Sequence, residues 1–410
     1  MNCKILFLCH FDRSYPPWAD NEGRNLIVKV KNTSQHNLFS QFFSFENFHL
    51  AFCKAKKLKN FHSDILQFEY DLEKNLFGLQ EEFMQNTYQH GKYHCFMVND
   101  PKRREIKAAP FRDRVVHHAL CNLIEPIFDK DFIFDSYACR KEKGTHRAIK
   151  RLKKFLQSVN SVETNRERER ERERDLPQIY CLKCDIKKYF ASIDHEILFS
   201  IIGKKIKDKK ILEIVKKIID SSYDDIDYEN LLEYRKIGIP IGNLTSQLFA
   251  NIYLNELDQF VKHKLKFCYY VRYMDDFLFL SANKKFLWET KNKVEEFLGK
   301  KLKLSFHPKK ANIFSVKNGI DFLGYRVFHP SPVKLRKGTV IRFMKKFRKK
   351  EEKYQSQTSM EVGCNIFQSL QSFCGFAKHG DSFALLQSLK IPNLIQKYSA
   401  VVEPLQNKNG

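Results

Sequence analysis

The stretch YVRYMDDFLFL, Tyr270 to Leu280, sets two adjacent carboxylates, Asp275 and Asp276, inside an otherwise aromatic and aliphatic run. Its β-branched and aromatic residues predict a hairpin of two strands meeting near Met274 and Asp275. An ionised carboxylate left unpaired in a dry core costs several kcal/mol, and two side by side also repel each other. Something positive must meet them. Arg272 and Lys309 are the candidates for a plain ion pair. A divalent cation is the sharper reading, because Mg²⁺ takes oxygen ligands, usually one or two carboxylates together with substrate phosphates.

Working outward, QIYCLKCDIKKYFASIDHEILFSIIGKKI reads as a strand ending at Asp185, a turn, and a helix capped by Asp194. A carboxylate at the end of a neighbouring strand lets two ions bridge an in-line displacement, and Asp185 is that carboxylate. Such a site performs phosphoryl or nucleotidyl transfer. Spacing alone leaves polymerase and nuclease both open. The segment IGIPIGNLTSQLFANIYLNELDQFVKHKL begins as a loop with Gly238, Pro240 and Gly242. It continues as a helix with an apolar side at Phe249, Ile252, Leu257 and Phe260. Beyond the hairpin come a helix, NKKFLWETKNKVEEFLGKKL, and two short strands, LKLSFHPKKANIF and GIDFLGYRVF. Strands alternating with helices through short loops give an α+β class.

Composition bounds the function. Lys and Arg number 72 against 48 Asp and Glu, a formal net charge of +24. That excess favours a polyanionic partner, since each phosphate neutralised by Lys or Arg releases a condensed counterion. Nucleic acid comes first and an anionic membrane surface second. No run approaches the roughly 20 apolar residues that span a bilayer, and MNCKILFLCH lacks the marks of a signal peptide. Eleven scattered cysteines fit reduced thiols in a cytoplasmic protein. Cys181 and Cys184 form a CxxC on a predicted strand, with no second pair to complete a zinc site, so they read as core residues.

Residues 1–36 show no sustained period and contain PPWADNEG, which reads as a poorly ordered leader. Residues 37–160 carry helical periods (FENFHLAFCKAKKLKN, DILQFEYDLEKNLFGLQEEF, FRDRVVHHALCNLIEPIFDKDF) around strands linked by basic loops. Residues 161–177 hold the RERERERER tract, whose like charges at i,i+4 weaken a helix, and read as a solvated insertion. Residues 178–330 hold the acidic motifs. Residues 331–410 are basic and helical and read as a separate domain.

Tyr273 to Asp276, YMDD, resembles the catalytic hairpin of reverse transcriptases, and DIKKYFASIDH resembles that family's first aspartate motif. The likeness runs in order from about Phe45 to Leu389: KRREI, DRVVHHAL, the aspartate strand, a GxxxSQ loop, YMDD, HPKKAN and FLGY. It implies a right-hand polymerase, with fingers in 37–160, palm in 178–330 and thumb in 331–410. By position it implies Asp185, Asp275 and Asp276 as ligands of two Mg²⁺ ions, and Phe190 beneath the incoming sugar, where a ring excludes a 2′-hydroxyl. Arg104, with Lys102 or Arg103, would grip the triphosphate. Arg114 is a weaker triphosphate candidate, equally suited to a structural ion pair. Lys310, or Lys309 in its place, would protonate pyrophosphate. Phe322, Leu323, Gly324 and Tyr325 would form the primer grip, with Gly324 admitting close backbone approach. Arg342, Lys345, Lys346 and Lys349 would track the template–primer backbone.

The loop IGIPIGNLTSQ separates subfamilies. Most relatives have QGxxxSP; here Ile241, Gly242, Ser246 and Gln247 stand in those positions. Ile241 offers no side-chain hydrogen bond to the incoming nucleotide. With DRVVHHAL and FANIYLNELDQFVK, the motif resembles the reverse transcriptases of diversity-generating retroelements. Those copy a template RNA into cDNA with errors at template adenines. The resemblance implies dNTPs, a template RNA and primer, and a basic pentameric partner, the accessory variability determinant. Group II intron, retron and phage-defence reverse transcriptases are the alternatives, and a non-catalytic RNA-binding scaffold is the alternative of a different class.

Overall fold

The computed structural model describes residues 38–59, 62–99, 102–168, 178–221 and 236–406. The expected leader 1–36 lies outside them, as do residues 169–177 of the Arg-Glu segment. The chain forms helices and sheets in the order α1 (Leu38–Phe42), α2 (Phe45–Lys56), α3 (Ser63–Tyr70), α4 (Leu72–Met84), β1 (His94–Val98), β2 (Arg104–Ala108), α5 (Phe111–Asp129), α6 (Thr145–Arg168), β3 (Tyr180–Asp185), α7 (His195–Lys205), α8 (Lys209–Asp220) and α9 (Leu244–Gln259). Then follow β4 (Tyr270–Tyr273), β5 (Asp276–Ser281), α10 (Lys284–Leu302), β6 (Asn312–Ser315), β7 (Ile320–Phe322), β8 (Tyr325–Val327), β9 (Lys334–Leu335), α11 (Lys337–Ser356), α12 (Met360–Ala377), α13 (Phe383–Ser388) and α14 (Ile391–Gln406). Helices mixed with antiparallel strands in this order make the α+β class that the sequence predicts.

Two compact units result. The first takes residues 38–144, Lys183–Leu278 and Trp288–Asn312, the second Thr145–Leu182, Phe279–Leu287 and residues 313–406. In the first, α2 starts at Ser44, whose hydroxyl accepts from the Asn47 N–H, and packs its Phe48, Ala51 and Phe52 face on α5. Helix α5 packs in turn on α9. The sequence gives α9 one apolar side, but twelve of its sixteen residues are buried, including Thr245, Ser246, Asn251, Asn255 and Asp258. Its polar positions are bonded inside the core, Asn251 Nδ2 to the Ala138 carbonyl at 2.8 Å for example, so an amphipathic period underestimates its burial.

A four-stranded sheet has the order β4-β5-β3-β6. The neighbours β3 and β5 place Asp185 at the end of one strand and Asp276 at the start of the other. Asp194 caps α7, its Oδ1 accepting from the Ile197 N–H at 3.1 Å. Cys181 and Cys184 are both fully buried.

In the second unit GIDFLGYRVF is not one strand but a hairpin. β7 and β8 pair antiparallel with Phe322 opposite Tyr325, and Leu323 (φ 49°) and Gly324 (φ 90°) make the turn. Two successive positive φ values match the right-handed twist of the flanking strands. Helix α6 persists to Arg168, past the start of the charge alternation at Asn165. Its earlier turns bury Ala148, Ile149, Leu152, Phe155, Leu156 and Val159, and that packing outweighs the weak helix preference of the tract that follows. Helices α11, α12 and α14 share a core of Phe347, Ile366, Leu370, Phe373, Ile391 and Tyr398.

Candidate active site

The hairpin turn rests on a buried polar pillar. Arg272, on β4, is fully buried and donates from Nε and Nη2 to Asp258 on α9 at 2.8 and 2.6 Å. Its Nη1 donates to the Met274 carbonyl at 3.1 Å and to Asn251 Oδ1 at 3.2 Å. Met274 itself sits at φ 55°, a left-handed conformation that an unbranched side chain tolerates at some cost. Arg272 is therefore not the counter-cation of Asp275 and Asp276 that the sequence offered. Its neighbour on the strand's buried face is Asp258, and it reaches the turn only through a carbonyl. Lys309 is likewise not placed as their partner: its backbone N–H meets His307 Nδ1 at 3.3 Å.

Two other lysines meet the acids. Lys310 Nζ lies 2.5 Å from Asp185 Oδ2, and Lys183 Nζ lies 3.3 Å from Asp276 Oδ2. The second oxygen, Asp276 Oδ1, is buried without a hydrogen-bond partner. Burial pushes the Asp276 carboxyl up to about 6, with Lys183 pulling the other way and Asp275 and Asp185 adding repulsion. Burial also raises Asp275, reinforced by the Asp185 charge and offset by Arg104 and Lys310. Asp185, Asp275 and Asp276 thus share one electrostatic neighbourhood, with Arg104 acting on it from β2.

The acids do not stand as a ready cage: among the described residues no three His, Cys, Asp or Glu are placed to hold a metal together. The donor set still fits a divalent ion. Mg²⁺ needs only one or two protein carboxylates when phosphates complete its shell. Mutually repelling carboxylates with an orphaned buried oxygen are stabilised by a cation that takes the place of the lysine contacts.

The GxxxSQ loop is sewn to β2. Ile241 accepts at its carbonyl from the Lys107 N–H at 3.0 Å. A Cβ on Gly242 (φ 127°) would lie 2.9 Å from Ile106 Cγ2, so glycine is needed both for its backbone angle and for the close approach. Asn243 is buried, its Oδ1 accepting from the Ala109 N–H at 3.2 Å and its Nδ2 donating to the Lys107 carbonyl at 3.1 Å. Phe190, half-buried, lies on the opposite flank, its carbonyl accepting from the Ile239 N–H at 2.9 Å. The loop therefore lies between the Arg104 strand and the Phe190 turn. Gln247 is half-buried on the first turns of α9. Asn243→Ala should cost about 2 kcal/mol, because it orphans two buried backbone groups. Urea unfolding of the two proteins measures this, and a change below about 0.5 kcal/mol would show the loop to be held otherwise.

Arg114 is placed elsewhere: it pairs with Asp64 of α3 and lies over the Phe111 ring, the structural partner the sequence allowed. In the second unit, a Cβ on Gly324 would meet Phe376 Cζ at 2.9 Å. The Tyr325 hydroxyl donates to the Phe376 carbonyl at 2.7 Å and meets His146 Nε2 at 3.1 Å. Arg342, Lys345, Lys346 and Lys349 are exposed on α11. Sequence reading missed Lys183 and Asn243. Lys183 had a signal, being two residues before Asp185 on a predicted strand and hence on the same face. Asn243 had none, since its partners, Lys107 on β2 and Ala109 just after it, lie more than a hundred residues away.

A family model described as reverse transcriptase (RNA-dependent DNA polymerase) matches residues 98–327. Protein YkfC of Escherichia coli K12 is 26% identical over 258 residues, covering 55% of this chain and 63% of that protein. The group II intron-encoded protein LtrA of Lactococcus lactis is 31% identical over 172 residues, 41% of this chain and 25% of that protein. Among solved structures, apo telomerase from Candida tropicalis superposes with a TM-score of 0.47 at 16% identity, covering 76% of this chain and 64% of that one. This chain therefore spans less than two thirds of each of these relatives. No helix among the described residues is long and apolar enough to cross a membrane.

Proposed function

Because the chain belongs to the reverse transcriptase (RNA-dependent DNA polymerase) family, we propose that it is an active cytoplasmic RNA-directed DNA polymerase that extends a primer along a template RNA using dNTPs. The observation that carries this reading is the convergence of charge on Asp275. Burial raises its pKa and the Asp185 carboxylate adds to that, while Arg104 and Lys310 lower it. An aspartate pair with a guanidinium and an ammonium around it is what a metal-bound triphosphate requires.

Reverse-transcriptase domains use divalent metal ions, and here two Mg²⁺ would be held by Asp185 and Asp275 with Asp276 beside them. When bound, the ions lower the pKa of the primer hydroxyl and neutralise the triphosphate. The chain's own residues do the rest. Arg104 takes the triphosphate oxygens, and the Phe190 ring lies under the sugar. The loop pinned by Asn243 shapes the base side through Ile241. Lys310, which reaches Asp185 in the free protein, would give its proton to the leaving pyrophosphate. The finger, palm and thumb roles fall to 37–160, 178–330 and 331–410, with the FLGY turn gripping the primer and α11 following the duplex.

We further propose the subtype of a diversity-generating retroelement, acting with a basic pentameric accessory variability determinant. The support is the IGNLTSQ loop, where Ile241 replaces a polar contact with an apolar one. The similarity to the group II intron-encoded protein supports a second reading, an intron-type polymerase. The genomic neighbourhood separates them: near-identical repeats differing mainly at adenines favour the first. At the protein level, Ile241→Gln should reduce misincorporation opposite template adenine severalfold, read by sequencing cDNA from a defined template. An unchanged error spectrum refutes the role given to this side chain.

A further inference from the structure

We propose that the outer face of α6 is a second binding surface for the RNA backbone, made of residues distinct from those of α11. This rests on the reading of the chain as an RNA-copying enzyme. Over Thr145–Asn160 the helix carries five cations, Arg147, Lys150, Arg151, Lys153 and Lys154, and no acid. Its inward face is fixed by the buried Ala148, Ile149, Leu152, Phe155, Leu156 and Val159. Arg147, Lys150 and Lys154 are exposed, with the half-buried Arg151 lying over the Phe155 ring at 4.4 Å. At 100° per residue, positions 147, 150, 151 and 154 fall on one stripe, about 10 Å long at a rise of about 1.5 Å per residue.

Like charges three and four residues apart destabilise a helix. Some surface lysines elsewhere are paired with acids, as Lys300 is with Glu296 and Lys397 with Glu351. Among the described residues Arg147, Lys150 and Lys154 have no carboxylate within ion-pair distance. A row of phosphates removes that repulsion and releases counterions. The same face argues against the other polyanions. Protein interfaces are anchored by buried aromatic or aliphatic side chains, and membrane-surface helices by an apolar face. Among the described residues no large apolar side chain of α6 is exposed. Beyond Lys154 the stripe continues with Gln157, Ser158 and Ser161, all exposed and able to bond phosphate or 2′-hydroxyl oxygens.

The test is the triple variant Arg147→Gln, Lys150→Gln, Lys154→Gln in the full chain, with Lys154→Gln alone as the milder form. The probe is an unprimed RNA hairpin, titrated by fluorescence anisotropy from low to moderate KCl. The slope of log K against log salt should shrink by about 2 for the triple variant and by somewhat under 1 for the single one. Affinity at low salt should fall about tenfold or more for the triple variant. The extension rate at saturating template–primer should stay at the wild-type value. An unchanged slope in a variant with the wild-type far-ultraviolet spectrum overturns the proposal. So does a variant that loses polyglutamate binding but keeps the hairpin, which would indicate an acidic protein partner. If the wild type extends no primer, the polymerase reading fails, and the hairpin titration still decides the α6 surface.

Discussion

Asp185→Asn and Asp275→Asn should each lower RNA-templated primer extension by at least about a thousandfold, since the charge stabilisation a bound metal supplies is worth several kcal/mol and each 1.36 kcal/mol is tenfold in rate. A structural role predicts a matching loss of stability. The electrostatics predict the reverse for Asp275. Its carboxyl is raised by burial and by Asp185, as Asp276 is raised, to about 6, chiefly by burial. A folded pKa above the unfolded one means that the fold binds more protons than the unfolded chain. These groups therefore cost least when protonated, below about pH 4, and stability is lost as pH rises through the folded values. Metal-free protein should melt lower at pH 7.5 than this acid-side contribution would give, and Mg²⁺ should restore the difference. Asp275→Asn in chelator should melt at or above the wild-type temperature and respond less to Mg²⁺. Retained extension would remove the polymerase reading. A melting temperature lowered by several degrees in chelator would make the residue structural.

Arg272→Ala should cost about 3 to 5 kcal/mol, because it leaves the buried Asp258 charge uncompensated. Both partners have no exposed side-chain surface, so solvent screening does not soften the loss. Tyr270, whose hydroxyl donates to the same carboxylate at 2.8 Å, lacks the charge to replace it. Replacing both partners, Arg272→Met with Asp258→Leu, should recover much of the stability in urea unfolding, since an apolar pair of similar volume carries no unpaired charge. Extension should not recover with it. The Met274 carbonyl loses its donor, and the turn that presents Asp275 loses the bond holding its left-handed residue. A single-variant cost under about 1 kcal/mol would mean that water reaches Asp258. Full activity in the stable double variant would separate the pillar from the turn.

Local pattern determined the elements that carry chemistry. Alternation of β-branched and aromatic residues marked β3 to Asp185 and the β4–β5 hairpin, because a strand's period and a turn's conformational demand are written in adjacent residues. The Asp194 cap and the amphipathic α2 and α5 were legible for the same reason. Gly242 was legible only as a loop residue; its need for close approach to Ile106 came from the packing of β2.

What tertiary structure alone decided is which charge answers which. Arg272 stands three residues from Asp275 in sequence but belongs to Asp258, while Lys183 holds Asp276 from about 90 residues away and Lys310 holds Asp185 from 125. Ion pairing follows distance and burial in space, and a one-dimensional pattern carries neither. The sequence by itself therefore specified the acids and the strands that bear them, whereas their counter-cations, the near-complete burial of α9 and the FLGY turn were settled only when distant segments packed against one another.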